Sequence, residues 1–397
     1  MKLHRHLVES VITALESIFE SKFYADKVIE KTLKNQRKWG ARDRRYFAET
    51  VYDIVRWYRL LSELAGGDDY WGMWAIHSLR QGLTLPEWAE ELNLTPKELD
   101  RRLKQITNPA ILESIPDWLQ IRGIEELGAA WFDVLKALNK QAPVYLRTNE
   151  LKINPTQLVS QLAEEEIFCE PVMDHANYPS ALKLKERKNV FASKAFKAGL
   201  FEVQDAGSQR IAPLLDVAPG MRVVDACAGA GGKSLHLAAL MKNKGKIIAM
   251  DIHEWKLKEL KTRAARGGVD IIETRVIDSN KVIKRLESSF DRVLLDVPCS
   301  GLGVLRRNPD TKWKLSAEEL KRLQKLQQEI IRDYSKMCKV GGKMVYATCS
   351  VLPSENQEQV QAFLKDHPQW ELVSELTLRP DLEDTDGFYA AQLIRKS

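Results

Sequence analysis

The chain has 397 residues, of which 44% are hydrophobic and 29% are charged. This balance is typical of a folded protein of two or three domains, and it excludes a disordered tail or a collagen-like fibre. No apolar stretch approaches the ~20 residues that a membrane helix needs, and Glu9 and Glu16 interrupt the segment where a signal peptide would have its apolar core. We therefore expect a cytoplasmic protein with no membrane partner.

Charge and cysteine content set two further limits. The net charge of +5 is too small to indicate nucleic-acid binding by itself. The five cysteines do not form a disulfide framework, and none lies in a C-x-x-C pair, so we expect reduced thiols and no bound metal. They are Cys169, Cys227, Cys299, Cys338 and Cys349.

Residues 1–140 have the pattern of a helical domain. Apolar residues recur every three to four positions at Leu7, Val11, Leu15 and Ile18, and again at Phe47, Val51, Ile54 and Val55. Prolines and paired glycines cut the segment into short helices, and Thr95–Glu98 has the sequence of a helix cap with proline at the first position. No strand is predicted here.

Residues 141–200 change character and predict a small α/β connector. A short strand is expected over 142–147, and a helix that starts with proline is expected over 155–162.

From residue 201 to 397 strands and helices alternate. Apolar runs rich in branched residues occur at 222–224, 246–250, 276–277, 292–295 and 343–346. Each ends near a polar or reactive residue, which is in turn Asp225, Asp251, Asp278, Asp296 and Thr348–Cys349. This pattern predicts a doubly wound, Rossmann-like sheet whose ligands lie at the carboxyl ends of the strands.

The first turn of that sheet predicts a cofactor site. It contains Cys227, Ala228, Gly229, Ala230, Gly231, Gly232 and Lys233. Glycines let a ligand approach the backbone, and the helix that follows offers free N–H groups. The spacing fits neither a phosphate-binding P-loop nor a dinucleotide turn. With Asp251 placed for ribose hydroxyls and Asp278 for an adenine amino group, the order of features indicates S-adenosylmethionine; the alternative is a solvated turn with no ligand.

A reactive site is predicted beside this turn. Cys299 follows the fourth strand shortly after Asp296, and Cys349 follows the fifth, so both thiols are expected at the edge that binds the cofactor. A buried structural cysteine is the usual alternative for any single thiol. It suits Cys169 and also Cys338, which we place in a helical stretch. Cys227 could simply pack in its turn.

Two thiols and one acid suit methylation at carbon 5 of a pyrimidine. A thiolate that adds at carbon 6 turns the ring into an enamine, and carbon 5 can then attack a methyl sulfonium. A carboxyl group hydrogen-bonded at ring nitrogen 3 would stabilise the charge that builds up. Asp296 is the natural acid, either on the base or close to the methyl group, where it would belong to the cofactor-binding residues. The residues alone do not establish which thiol is the nucleophile.

Five stretches make the sequence recognisable. They are Gln204–Ser208, Asp225–Lys233, Asp296–Asp310, Tyr346–Asn356 and Asp386–Ala390. In this order they resemble the RsmB/Sun family of S-adenosylmethionine-dependent RNA (cytosine-5-)-methyltransferases. The resemblance implies a Rossmann-like class I methyltransferase domain over 201–397. It also implies that Cys349 forms the covalent bond to cytosine and that Cys299 assists product release.

One departure from the family pattern lies in the cofactor turn. The family has Ala-Pro where this chain has Gly229-Ala230, so we expect a more flexible turn and an altered cofactor affinity. By resemblance, Lys233 should contact the methionine part of the cofactor or a polar group of the active site.

RNA contacts are predicted in the basic loop that follows Cys299. Its candidates are Arg306, Arg307, Lys312 and Trp313, which could bind phosphates and stack on a base; an ordinary basic loop is the alternative. The helical segment resembles, more loosely, the NusB-type RNA-binding domain of some family members.

The sequence leaves three functions to be compared. The first is methylation of a cytidine in ribosomal RNA of the 16S type, with a transfer-RNA cytidine as a variant. The second is an RNA-binding ribosome-assembly factor with a vestigial catalytic centre. The third is methylation of DNA cytosine. The DNA cytosine-5 enzymes use the Pro-Cys thiol as nucleophile, which is the opposite of the choice that the resemblance implies here.

Overall fold

The computed structural model describes residues 3–92, 95–172, 174 and 176–396. Its contacts divide the chain into two compact units. One unit takes in the chain up to Lys140 together with Val304–Ala317, and the other comprises Gln141–Gly303 and Glu318–Ser397. The segment predicted as a helical domain therefore shares its unit with a stretch from the second half of the chain, and the connector shares its unit with the main sheet.

The helices and strands are numbered in chain order and have the following bounds. The helices are α1 (Arg5–Phe19), α2 (Ala25–Asn35), α3 (Ala41–Arg56), α4 (Tyr58–Ala65), α5 (Tyr70–Arg80), α6 (Pro96–Gln105), α7 (Pro109–Leu112), α8 (Asp117–Leu127), α9 (Ala130–Leu138), α10 (Pro155–Glu164), α11 (Lys194–Lys197), α12 (Ala206–Gln209), α13 (Gly232–Leu240), α14 (Glu254–Gly267), α15 (Asn280–Lys284), α16 (Thr311–Lys314), α17 (Ala317–Tyr334) and α18 (Gln357–Asp366). The strands are β1 (Tyr145–Thr148), β2 (Cys169–Pro171), β3 (Ala181–Leu184), β4 (Phe201–Val203), β5 (Arg222–Asp225), β6 (Lys246–Asp251), β7 (Ile272–Val276), β8 (Phe290–Asp296), β9 (Cys338–Thr348), β10 (Trp370–Leu378) and β11 (Phe388–Arg395).

The helical unit follows its apolar periodicity. The predicted stripes are buried in α1 and α3, where they include Leu7, Leu15, Phe47 and Ile54. Burial of one such side chain contributes roughly 1.5–3 kcal/mol, so these stripes are a major source of the unit's stability. The cap predicted at Thr95 is confirmed, because its hydroxyl accepts the N–H of Glu98 at 3.2 Å. Within the described part of residues 3–140 there are helices and no strand.

The connector forms a four-stranded antiparallel sheet in the order β2-β3-β1-β4. The predicted strand and helix are present as β1 and α10. Pro155 is the first residue of α10, and Asn154 closes a capping box with Gln157. Leu158 and Leu162 of this helix are buried in the hydrophobic core of the connector.

The main sheet confirms the Rossmann-like fold. Its order is β10-β11-β9-β8-β5-β6-β7, in which the five strands from β9 to β7 are parallel and β11 and β10 are antiparallel. The carboxyl ends of the parallel strands carry Asp225, Asp251, Asp296 and Thr348, with Asp278 just beyond β7. The fold therefore brings the predicted site residues to one edge of the sheet.

Three details of the sheet differ from the prediction. The third parallel strand is Ile272–Val276, whereas the apolar pair 276–277 was expected to form it. Cys338 is buried as expected but begins β9, because a 3-10 turn ends the preceding helical stretch at Met337. The antiparallel strands β10 and β11 were not predicted.

No helix within the described residues is both long and apolar enough to cross a membrane.

Candidate active site

The glycine-rich turn joins β5 to α13. Gly231 is the N-cap of α13 with φ +84°, and a Cβ at this position would lie 2.3 Å from Leu260 Cγ. Only glycine fits there, because other residues would meet both the unfavourable φ and the clash. The N–H of Ala228 donates to the carbonyl of Met250 at 2.8 Å, which fixes the turn against the end of β6.

Two arginines that the sequence pattern did not reveal hold this turn from outside. Arg263 of α14 donates to the carbonyl of Ala230 at 2.8 Å, and Arg147 of β1 donates to the carbonyl of Gly232 at 2.6 Å. Arg147 is buried, and burial lowers its pKa to about 10. Because these contacts use the carbonyl oxygens, they leave the N–H groups at the start of α13 facing the turn.

Asp225 is the first of three carboxylates along this edge. Its Oδ2 accepts the hydroxyl of Ser234 at 2.6 Å, whereas its buried Oδ1 accepts no hydrogen bond of ordinary geometry from the residues that the structure describes. Burial raises the pKa of Asp225 to about 7. An unsatisfied buried acceptor beside a glycine turn suits a ligand that brings an ammonium or N–H donor, as the methionine part of S-adenosylmethionine does.

Asp251 and Asp278 end the next two strands. Both oxygens of Asp251 accept backbone N–H groups, from Gly229 at 2.9 Å and from His253 at 2.8 Å. Each oxygen keeps a lone pair for a ligand hydroxyl. Asp278 is exposed and accepts the hydroxyl of Ser279 at 2.9 Å, and its adenine contact stays a prediction.

The structure brings the two predicted thiols together. The Sγ atoms of Cys299 and Cys349 lie 3.4 Å apart, and both residues are partly exposed. The hydrogen bond that the Cys299 thiol makes with Cys349, burial and the negative charge of Glu355 raise the pKa of Cys299 well above its ordinary value. Cys227 is a different case, because burial and the nearby carboxylates raise its pKa and it lies within the turn.

Lys233 and Asp296 form an ion pair beside the thiols. The ammonium of Lys233 lies 2.6 Å from Asp296 Oδ2 and 5.9 Å from the ring centre of Phe388. Burial opposes its charge, but the neighbouring Asp296 and Cys349 outweigh burial and raise the pKa of Lys233. A charged lysine near a thiol favours the thiolate.

The loops that carry the thiols are joined by their backbones. Gly303 donates its N–H to the carbonyl of Cys349 at 2.9 Å and accepts that of Gly387 at 2.8 Å. Asn356 accepts the hydroxyl of Thr348 at 2.5 Å and donates to the carbonyl of Ser350 at 3.0 Å. Gly387 belongs to the recognisable Asp386–Ala390 stretch, and its hydrogen bond with Gly303 supports the loop that follows Cys299.

The basic loop is placed differently from the prediction. Lys312 and Arg306 are 1% and 4% exposed, within the helical unit. The Lys312 ammonium donates to the carbonyl of Arg56 at 2.8 Å and to Asn139 Oδ1 at 3.3 Å. The prediction that Lys312 and Arg306 contact RNA is therefore corrected, because both side chains are buried and not at the surface.

The other two RNA candidates are partly buried. The indole N–H of Trp313 donates to the carbonyl of Val55 at 2.7 Å, and its ring meets that of Tyr58 edge to face at 5.5 Å. The ring thus packs on the helical core, which limits stacking on a base. Arg307 is also partly buried, and its RNA contact stays a prediction. Among the described residues, no group of three or more His, Cys, Asp or Glu side chains is arranged to hold a metal ion.

Comparisons with known proteins agree with this geometry. Residues 212–394 match the family model described as 16S rRNA methyltransferase RsmB/F, and residues 115–191 match the ferredoxin-like domain of the same proteins. Ribosomal RNA small subunit methyltransferase B of Yersinia pseudotuberculosis is 37% identical over 289 residues, which are 71% of this chain and 66% of that protein. The chain thus spans about 66% of the length of such curated relatives.

Solved structures show the same architecture. The crystal structure of PH0851 matches this chain with a TM-score of 0.82 and 27% sequence identity, and the match covers 98% of each of the two chains. A methyltransferase homolog protein from Pyrococcus horikoshii has a TM-score of 0.64 and 28% identity, over 77% of this chain and 100% of that one. Together with the arrangement of Asp296, Cys299 and Cys349, these matches show that the chain belongs to the RsmB/Sun family of methyltransferases.

Proposed function

We propose that this protein transfers a methyl group from S-adenosylmethionine to carbon 5 of a cytidine in RNA through a covalent bond to Cys349. The observation that carries the proposal is the pair of sulfur atoms 3.4 Å apart beside the Lys233–Asp296 ion pair, at the edge that holds the glycine turn. The names of the curated relatives favour ribosomal RNA of the small subunit as substrate. Action in the cytoplasm is part of the same proposal. A transfer-RNA cytidine is the alternative target.

The chain offers a complete set of contacts for the cofactor. The turn Cys227–Lys233 gives it backbone N–H groups, Asp225 Oδ1 an acceptor for its ammonium, and Asp251 acceptors for its ribose. Asp278 is the candidate for the adenine amino group. When bound, the cofactor supplies an electrophilic methyl sulfonium.

Cys349 begins the reaction as the nucleophile. Its sulfur adds as the thiolate to carbon 6 of a cytosine that has been turned out of the RNA stack. The Lys233–Asp296 pair hydrogen-bonds the ring at nitrogen 3 and supplies the proton that balances the added electrons. Carbon 5 then carries the electron density needed to take the methyl group.

Cys299 completes the reaction. Its hydrogen bond with Cys349 is the largest cause of its high pKa, and this cause disappears once Cys349 is bonded to carbon. Cys299 can then release its proton to solvent and take the proton from carbon 5 as a thiolate. The electron pair of that carbon–hydrogen bond re-forms the ring double bond and expels the Cys349 sulfur as the thiolate. Ring nitrogen 3 returns its proton to the Lys233–Asp296 pair, which leaves a neutral 5-methylcytosine.

The test combines labelled cofactor with RNA and two cysteine variants. We expect methyl incorporation into small-subunit RNA, and bisulfite sequencing of RNA from a deletion strain to locate the cytidine. Cys299→Ala should accumulate a covalent RNA complex that survives denaturing electrophoresis. A complex trapped by Cys349→Ala instead would reverse the roles of the thiols. Absence of incorporation into any RNA would favour the assembly factor, and labelling of DNA alone the DNA enzyme.

A further inference from the structure

A buried glutamate lies behind the two thiols. Glu355 ends the 3-10 turn Pro353–Glu355 after β9 and is 0% exposed. The hydroxyl of Tyr346 donates to its backbone carbonyl at 2.7 Å, which holds the turn against the strand that carries Cys349. A carboxylate this deep needs hydrogen-bond partners, because desolvation of a charge is costly.

The partners of this carboxylate come from three segments of the chain. Oε1 accepts the N–H of Ser300 at 2.8 Å and the side-chain amide of Gln327 at 2.9 Å. Oε2 accepts the hydroxyls of Ser300 and Ser350, each at 2.5 Å. All of these partners are neutral donors, so the negative charge of Glu355 is held in place without being cancelled.

Two of the three segments are the loops that carry the thiols. Ser300 directly follows Cys299, and Ser350 directly follows Cys349. One carboxylate therefore fixes the neighbours of both sulfur atoms at once. Gln327 of α17 adds a second restraint on the first loop, since it also donates to the carbonyl of Pro298 at 3.0 Å. The sulfur–sulfur separation of 3.4 Å depends on these contacts.

The groups that act most strongly on the two thiols differ. The hydrogen bond with Cys349, burial and the negative charges of Cys349 and Glu355 raise the pKa of Cys299, whereas a hydrogen bond from the backbone N–H of Gly301 lowers it. Cys349 interacts instead with the ammonium of Lys233, which is paired with Asp296. A negative charge beside a thiol disfavours its ionisation, and a positive charge favours it.

We propose that Glu355 is a positioning residue that assigns the roles of the two thiols. It sets the sulfur–sulfur geometry, and its charge holds Cys299 as a neutral thiol, so that Cys349 beside Lys233 becomes the nucleophile. This inference rests on the proposed function, but its first readout requires neither cofactor nor RNA.

The test measures alkylation of each cysteine by iodoacetamide in the full-length protein, with peptide mass spectrometry across a range of pH. In the natural protein Cys349 should react faster than Cys299 near neutral pH. Glu355→Gln should speed the alkylation of Cys299 about tenfold, which corresponds to a fall of one unit in its pKa. Glu358→Gln, an exposed change in the first turn of α18, is the matched control and should leave both rates unchanged.

Two conservative variants separate charge from position. Glu355→Asp keeps the charge, and Ser350→Ala removes one donor to Oε2, so both should leave Cys299 slow to alkylate. Both should lower kcat more than KM, because the thiols lose their alignment. These variants decide the question if Glu355→Gln does not fold.

The proposal is overturned if folded Glu355→Gln leaves the alkylation rates unchanged or raises both equally. It is also overturned if Glu355→Asp and Ser350→Ala keep the full kcat. A natural protein that alkylates as expected but transfers no methyl would reject the proposed function and leave the assignment of thiol ionisation standing. The two failures are therefore distinguishable.

Discussion

Lys233 and Lys312 are both largely withdrawn from solvent, yet their surroundings are opposite. Lys233 lies at the edge of the main sheet, 2.6 Å from a carboxylate oxygen of Asp296, and its pKa is raised despite burial. Lys312 lies in the core of the helical unit, where its hydrogen-bond acceptors are neutral oxygens of Arg56 and Asn139. Burial and the charge of Arg56 lower the pKa of Lys312 well below its ordinary value.

This contrast separates a reactive lysine from a structural one. Where a carboxylate is adjacent, the lysine keeps its charge and can act on a neighbouring thiol. Where the oxygens that accept its hydrogen bonds are neutral, as at Lys312, burial outweighs the more distant carboxylate of Glu113, and the lysine joins packed segments as a hydrogen-bond donor. Burial alone does not show function, and the sign of the pKa shift together with its cause is the better guide.

The largest loss of activity is expected from Cys349→Ala, at the edge of the main sheet. We expect methyl transfer to fall by at least about 10⁴-fold, because no other group can form the bond to carbon 6. Cofactor binding, measured by calorimetry, should be retained because Cys349 lies outside the glycine turn. Substantial residual transfer would mean that Cys299 can serve as nucleophile.

The next effect is expected from Lys233→Met. Loss of the ammonium removes the charge that favours the thiolate and the partner of Asp296, so kcat should fall by roughly 10²–10³-fold. The melting temperature should change little, since Asp296 can be solvated. Steady-state kinetics and thermal unfolding measure the two quantities. Lys261→Met, on an exposed part of α14, is the control, and an equal loss of rate there would show a general effect of charge.

Lys312→Met should give the converse of Lys233→Met. The free energy of unfolding should change, and the turnover per folded molecule should stay the same. Because burial and the charge of Arg56 lower the pKa of Lys312 in the folded protein, the unfolded state binds more protons than the folded state between the lowered and the ordinary pKa. The free energy of unfolding of the natural protein should therefore rise relative to that of the variant as pH increases towards the ordinary lysine pKa. Urea titrations at several pH values measure this difference.

Lys38→Ala, on the surface of the helical unit, provides the control for that experiment because its side chain is exposed. A variant at Lys312 that folded normally but lost RNA affinity would contradict the buried position. It would restore the surface loop that the sequence predicts.

The reactive site was predictable because sheet topology determines it. Once the apolar runs are recognised as parallel strands, the residues after each run must meet at one edge, and Asp296, Cys299 and Cys349 do so. The order of the two thiols was not determined by this argument. It came from the family resemblance, and the role that we propose for Glu355 would give it a physical reason.

The missed features depend on packing between segments far apart in sequence. The run of basic residues at 306–314 has the composition of a surface loop, and only contacts with α3 and α9 show that Lys312 is interior. Glu355 follows a proline in a polar stretch, and nothing local indicates that four hydrogen-bond donors surround it. Arg147 belongs to a strand of the connector, and its contact with Gly232 requires the connector sheet to be folded.

The smallest effect is expected at Gly229, where this chain departs from the family pattern. Its φ of +53° is unfavourable for other residues by about 1–2 kcal/mol, but a Cβ there would meet no atom within 4 Å. Gly229→Ala should therefore weaken cofactor binding by roughly tenfold or less. Gly231→Ala provides the comparison, since it combines a positive φ with a clash against Leu260 and should be much more harmful. Calorimetric titration of both variants measures the difference, and equal losses would show that the turn responds to backbone strain alone.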